Sequence, residues 1–220
     1  CLQIAFNNGC YEILKLLLQQ KGKFVLEKDS DGRTVLFYAC QEGNFEWVSI
    51  LVRDIQQREE LTPKEQSSYF HGCLQIAFNN GHYEILKLIL QQKGKFVLDK
   101  DSDGKNVLFY ACQEGNIEWV SILIKDLQQR EGLTPEERTS YCHDGLRYAC
   151  VNGCSEIVAM ILQDRHQLSI NINETFDDGY TCLTTACLFG RFELSLWLLQ
   201  QTDLNANITD KYDDTAFILA

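Results

Sequence analysis

The chain has 220 residues, 45% of them apolar, with a net charge of −11 and a pI near 4.8. That apolar content is enough to build a core rather than a disordered coil. The acidic balance repels phosphate backbones and anionic lipid heads, which argues against nucleic acid and membrane surfaces as general partners. No apolar run is long enough to span a bilayer.

The dominant signal in chain order is a repeat. Residues 1–72 align without a gap on residues 73–144, and 57 of the 72 pairs are identical. A weaker period lies inside each copy, anchored on Ala5, Ala39, Ala77, Ala111, Ala149, Ala186 and Ala220, at spacings of 34, 38, 34, 38, 37 and 34 residues. Gly9, Gly43, Gly81, Gly115, Gly153 and Gly190 each follow an anchor alanine by four residues. An amphipathic run such as HYEILKLILQQ or NIEWVSILIKDL comes next. Each unit therefore reads as helix, glycine turn, helix, with the glycine closing the first helix in a left-handed conformation. No such unit can bury its apolar face alone, so neighbours must stack.

Between some units lies an extended stretch, clearest in GKFVLEKDSDGRTVLFYA (22–39) and its copy at 94–111. Asp99, Asp101, Asp103 and Gly104 imitate the opening of a calcium-binding loop. Such a loop needs a bidentate Glu at its twelfth position. Counting from Asp99 that position is Tyr110, and in the first copy it is Tyr38. Asp and Gly there suit a tight turn instead.

In this register the chain resembles the ankyrin repeat through Gly22, Asp29, Gly32, Thr34, Leu36, Ala39, Gly43, Glu46, Val48 and Leu51. It does so again through Gly179, Thr181, Leu183, Ala186, Gly190 and Glu193. The Pro and His of the family pattern are replaced by Val35 and Phe37. The resemblance implies an all-α solenoid of stacked helix–turn–helix units with β-hairpin fingers between some of them. The expected array occupies residues 1–220 as about six units and a partial seventh: 1–33, 34–71, 72–105, 106–143, 144–180, 181–214 and 215–220. The chain starts without Met and both ends interrupt the pattern, so the parent chain is expected to continue on both sides.

The 38-residue spacings depart from the family. No finger precedes Ala77 or Ala149; RDIQQREELTPKEQSSYFHGCLQIA and KDLQQREGLTPEERTSYCHDGLRYA stand there instead. Thr62, Pro63 and Glu65 form a capping-box signature with proline at the first helical position. Two readings remain open. In one, lengthened antiparallel helices join at a tight turn near Leu61, and likewise near Leu133. In the other, a short helix breaks at Gly72 before the ordinary first helix.

The ten cysteines sit mostly in apolar helical patterns without a C-x-x-C pair, as expected of reduced core residues in the cytoplasm. Of the four histidines, His71 and His143 are copies of one position; Cys142 beside His143 is Phe70 in the first copy, which argues against a catalytic Cys–His pair. No nucleotide, hydrolase or metalloprotease motif is present. We expect no enzyme activity, no cofactor and no metal site. Trp47, Trp119 and Trp197 are assigned to the core. Asn173 and Asn207 stand where the ankyrin finger carries an Asn that bridges finger backbones.

The resemblance implies protein binding on a concave face made of finger tips and inner ends of first helices. The positions it points to are Asp31, Arg33, Gln41, Glu42, Asp103, Lys105, Gln113, Glu114, Tyr180 and Phe189. Acids outnumber bases among the charged ones, so a protein partner with a basic patch is expected. The alternatives are a regulatory region of a larger enzyme or channel, and a calcium or small-molecule module.

Overall fold

A computed structural model describes residues 25–70, 72–92 and 94–220. The helix pair expected around Ala5 and Gly9, and His71, lie outside the described residues. The chain forms two compact units whose sequence boundary falls between Asp103 and Gly104.

In the first unit, α1 (Val35–Gln41) and α2 (Phe45–Gln56) form one antiparallel pair. A short α3 (Pro63–Ser68) follows, then the pair α4 (Cys73–Asn79) and α5 (Tyr83–Leu90). First helices stack on first helices, α1 on α4, and second helices on second, α2 on α5. The second unit repeats this with α6 (Val107–Gln113) and α7 (Ile117–Gln129), α8 (Pro135–Asn152) and α9 (Ser155–Gln163), a short α10 (Arg165–Leu168), then α11 (Cys182–Leu188) and α12 (Phe192–Leu199). A last short helix, α13 (Ala216–Leu219), packs on α11.

The local reasons are capping and periodicity. The Thr34 hydroxyl accepts from Phe37 N, and Asn44 Oδ1 accepts from Trp47 N at 3.1 Å, closing the starts of α1 and α2. Trp47, Val48, Leu51, Val52 and Ile55 then recur on one face of α2 and are all buried. Trp119 occupies the same place in α7, whereas Trp197 of α12 is only half-buried. Six of the described cysteines are buried and eight are free thiols.

The two open readings of the 38-residue segment are each realised once. In the first copy Gly72 adopts φ +71° and separates α3 from α4. In the second copy Asp144 stands at that position and α8 runs unbroken for 18 residues. The left-handed conformation is cheap for glycine and costs other residues about 1–2 kcal/mol, so the exchange itself favours continuity. The next residue completes the switch. Gly145 replaces Cys73, and a Cβ there would lie 3.1 Å from Cys112 Sγ and 3.4 Å from the Leu108 carbonyl oxygen. Its absence lets α8 lie close against α6. Tyr141 consequently is buried while its counterpart Tyr69 stays half-exposed.

Both copies carry the capping box. Thr62 N donates to Glu65 Oε2 at 2.8 Å and Glu65 N to Thr62 Oγ1 at 3.3 Å. Thr134 and Glu137 do the same at 2.9 and 3.2 Å. The preceding turns are fastened by buried Arg58 on Asp54 at 2.7 Å, and by Arg130 on Asp126 at 2.5 and 3.1 Å. Burial pushes the Asp126 carboxyl up while Arg130 opposes that rise.

The fingers are tight turns organised by one aspartate each. Asp29 Oδ1 accepts from the backbone N–H of Asp31 and of Arg33, both at 2.9 Å, and Asp29 Oδ2 accepts from the Tyr38 hydroxyl at 2.5 Å. Asp101 accepts from Asp103 N in the second finger, and Asp210 from Tyr212 N and Asp214 N in the last. Backbone bonds close the loops, Asp29 N to Arg33 O and Phe176 N to Tyr180 O. Among the described residues one antiparallel bridge, Thr209 to Thr215, flanks such a turn. Of the acidic residues that imitate a calcium loop, Asp101 is engaged by the turn itself.

Candidate interaction surfaces

Each unit presents its finger and first-helix positions on its own rigid frame. In the first unit, Asp31 and Arg33 pair at the finger tip, 3.4 Å apart and both well exposed. Arg33 also lies over the Phe37 ring, 5.2 Å from its centroid. Gln41 and Glu42 end α1, roughly 10 Å away by helical rise. Their side chains are exposed, and the Gln41 carbonyl accepts from Asn80 Nδ2 at 3.4 Å. Asp103 is exposed in the second finger.

In the second unit, Lys105 is half-buried and already engaged. Its ammonium sits 4.6 Å from the Phe109 ring centroid and 3.6 Å from Asp144 Oδ2. Gln113 and Glu114 are exposed at the end of α6. Tyr180 is half-buried, and desolvation, with Asp210 nearby, raises its phenol. Phe189 keeps 46% of its surface in solvent. The two aromatics thus differ: Tyr180 is largely packed, and Phe189 is the exposed one.

Asn173 performs the bridging expected of it. Its Nδ2 donates to Asp203 O and its Oδ1 accepts from Asn205 N, both at 2.7 Å. Arg165 grips Asp203 through two bonds of 3.0 Å, which holds that carboxyl below its usual range. Among the described residues, the donor atoms of His143, Asp144 and Asp177 come within 4.8 Å of one another. Asp144 already pairs with Lys105, and His143 Nε2 lies 3.5 Å from the Thr175 carbonyl oxygen.

Two features were missed by sequence reasoning. The first is an exposed apolar stripe on α12 made by Phe192, Leu196 and Leu199, joined by Phe189. Their i, i+4, i+7 spacing was legible, but helix period alone does not say which apolar face is covered. The second is a cleft of about 690 Å³ in the first unit, lined by residues of both its fingers and of α3. Lys28, Lys64 and Lys95 on its wall come from separate elements, so no local motif marks them.

The fold is a repeat of antiparallel helix pairs with like helices stacked on like. The profile of the family "Ankyrin repeats (3 copies)" matches residues 1–59 and 73–173. The chain belongs to the ankyrin-repeat family, whose repeats are in general protein-interaction modules. It is 25% identical over 191 residues to a probable E3 ubiquitin-protein ligase, XBOS33, of Oryza sativa subsp. japonica, covering 84% of this chain and 34% of that protein. It is 27% identical over 124 residues to the target of rapamycin complex 2 subunit AVO2 of Saccharomyces cerevisiae, covering 56% of this chain and 28% of the relative. The human SMC5-SMC6 complex localization factor protein 1 is 34% identical over 99 residues, 45% of this chain and 9% of the relative. The chain thus spans about a third or less of these curated relatives. No described helix is long and apolar enough to cross a membrane.

Proposed function

We propose that the chain is a scaffold or adaptor segment that binds a protein partner on the finger and first-helix positions of its units, without catalysis of its own. The observation that carries this reading is the contrast between rigid support and exposed tips. Asp29, Asn173 and the capped helices immobilise the backbone, while Asp31, Glu42, Asp103 and Glu114 stay exposed above it. Display on a preorganised frame costs little ordering entropy on binding. The acidic balance favours a partner with a basic patch. The free, mostly buried thiols support a reducing, cytoplasmic setting.

The experiment is affinity capture with the native chain and with Glu42→Lys combined with Glu114→Lys, followed by salt titration. Loss of captured partners in the variant supports binding through these acidic positions; an unchanged set argues against it. A second reading, that this region regulates a larger enzyme, is favoured by the likeness to part of a probable E3 ubiquitin-protein ligase. That protein is named a probable ligase, and this chain matches 34% of it.

A further inference from the structure

The cleft of the first unit lies where a finger is missing and the helix breaks at Gly72. Where an ordinary repeat would place a third finger between residues 25–34 and 94–103, the chain has α3 and the break at Gly72. The gap leaves a concavity within the size range of pockets that hold a drug-sized ligand or a few residues of peptide. Its floor is aromatic: Phe37, Tyr69 and Phe96. Its wall carries Lys28, Arg33, Lys64 and Lys95 against two carboxylates, Asp31 and Asp99. Among the described lining residues, four cations stand against two acids, a local reversal of sign in a chain of net charge −11.

The internal duplication supplies a natural comparison. Seventy-two residues on, Lys64 becomes Glu136, Lys95 becomes Gln167 and Gly72 becomes Asp144. Lys105, the counterpart of Arg33, is committed to Asp144 at 3.6 Å. Tyr141, the counterpart of Tyr69, is buried in the continuous helix. One copy therefore keeps an open, cationic, aromatic-floored cleft, while the other has acids and a helix in its place.

We propose that this cleft docks an acidic segment of a partner protein, with an aromatic or aliphatic side chain on the Phe37–Tyr69–Phe96 floor and flanking carboxylates met by Lys28, Lys64 and Lys95. Charge complementarity selects this occupant over a basic or purely apolar one. The inference rests on the reading of the chain as a protein-binding segment. It shares the finger residues Asp31 and Arg33 with that reading but not Glu42 or Glu114, so the two tests can fail separately.

The test titrates the 220-residue chain into a fluorescein-labelled peptide in which one phenylalanine is flanked by glutamates, with fluorescence anisotropy as readout. A second peptide has glutamines in place of the glutamates, and inorganic phosphate serves as competitor. Lys64→Glu with Lys95→Glu reverses two exposed cations; the second copy already carries Glu at the first of these positions, and a thermal melt confirms folding. The glutamate peptide is expected to bind, and to bind roughly tenfold more weakly to the variant. The glutamine peptide is expected to lose a similar factor on the native chain, and Glu136→Lys to leave binding unchanged. Absence of binding, equal binding of the two peptides, or equal binding by the variant would overturn the proposal. So would displacement by phosphate at equal affinity, which would make the cleft a generic anion site.

Discussion

Replacing Gly153 by alanine measures how strongly one helix pair clasps the next. Gly153 ends α8 at φ +71°, and a Cβ there would lie 2.7 Å from Cδ of Arg191. Arg191 follows the next turn glycine and reaches back to donate from Nε to the Val151 carbonyl at 2.7 Å. Alanine therefore incurs the left-handed strain, about 1–2 kcal/mol, and also dislodges Arg191. A hydrogen bond from a charged donor contributes about 1.5–3 kcal/mol. Because Val151 and Arg191 are both half-exposed and water can replace the bond, the added cost falls to about 1–2 kcal/mol. Gly115 is the control. Its φ is +66°, and nothing lies within 4 Å of a Cβ built on it. Gly115→Ala should cost the strain alone. Urea unfolding followed by far-UV circular dichroism gives both values. In an Arg191→Ala background, Gly153→Ala should fall to the cost of Gly115→Ala. Equal costs for the two glycines in the native background, or no relief from Arg191→Ala, would refute the clasp.

Three further outcomes are expected. Asn106→Ala should destabilise by about 2–3 kcal/mol against about 1 for Thr34→Ala, in paired urea titrations; Asn106 is buried and serves both Phe109 N and Tyr141 O at 2.9 Å, while Thr34 caps α1 alone. Stability should fall as pH drops below about 4. The Tyr38 hydrogen bond holds Asp29 low, the Thr62 backbone holds Glu65 low and Arg165 holds Asp203 low. Depressed folded values stabilise above the unfolded value and lose that contribution as protons bind the native carboxylates. Asp29→Asn should flatten the acid slope of thermal melts, and an unchanged slope would remove Asp29 from the account. Finally, a thiol reagent at neutral pH should label half-exposed Cys154 and Cys187 before any buried cysteine. Burial raises the Cys142 thiol to about 12, so its labelling should wait for unfolding.

What the sequence determined by itself is local or periodic. The anchor alanines and their glycines announce helix pairs, because a left-handed stop and an amphipathic run are encoded within a dozen residues. The capping boxes at Thr62 and Thr134 and the aspartate turns of the fingers are likewise written in adjacent side chains. The break at Gly72 could be posed as a question but not answered. A glycine inside a helix costs only about 1 kcal/mol, less than the packing on either side decides. Tertiary structure settled it by seating Gly145 against Cys112 and Leu108, and by burying Tyr141 while leaving Tyr69 over a cleft. The engagement of Lys105, the half-burial of Trp197 and Tyr180, and the gathering of Lys28, Lys64 and Lys95 are of the same kind. Each depends on which distant segment arrives opposite, and the stacking of pairs, not the pattern within a pair, sets that encounter.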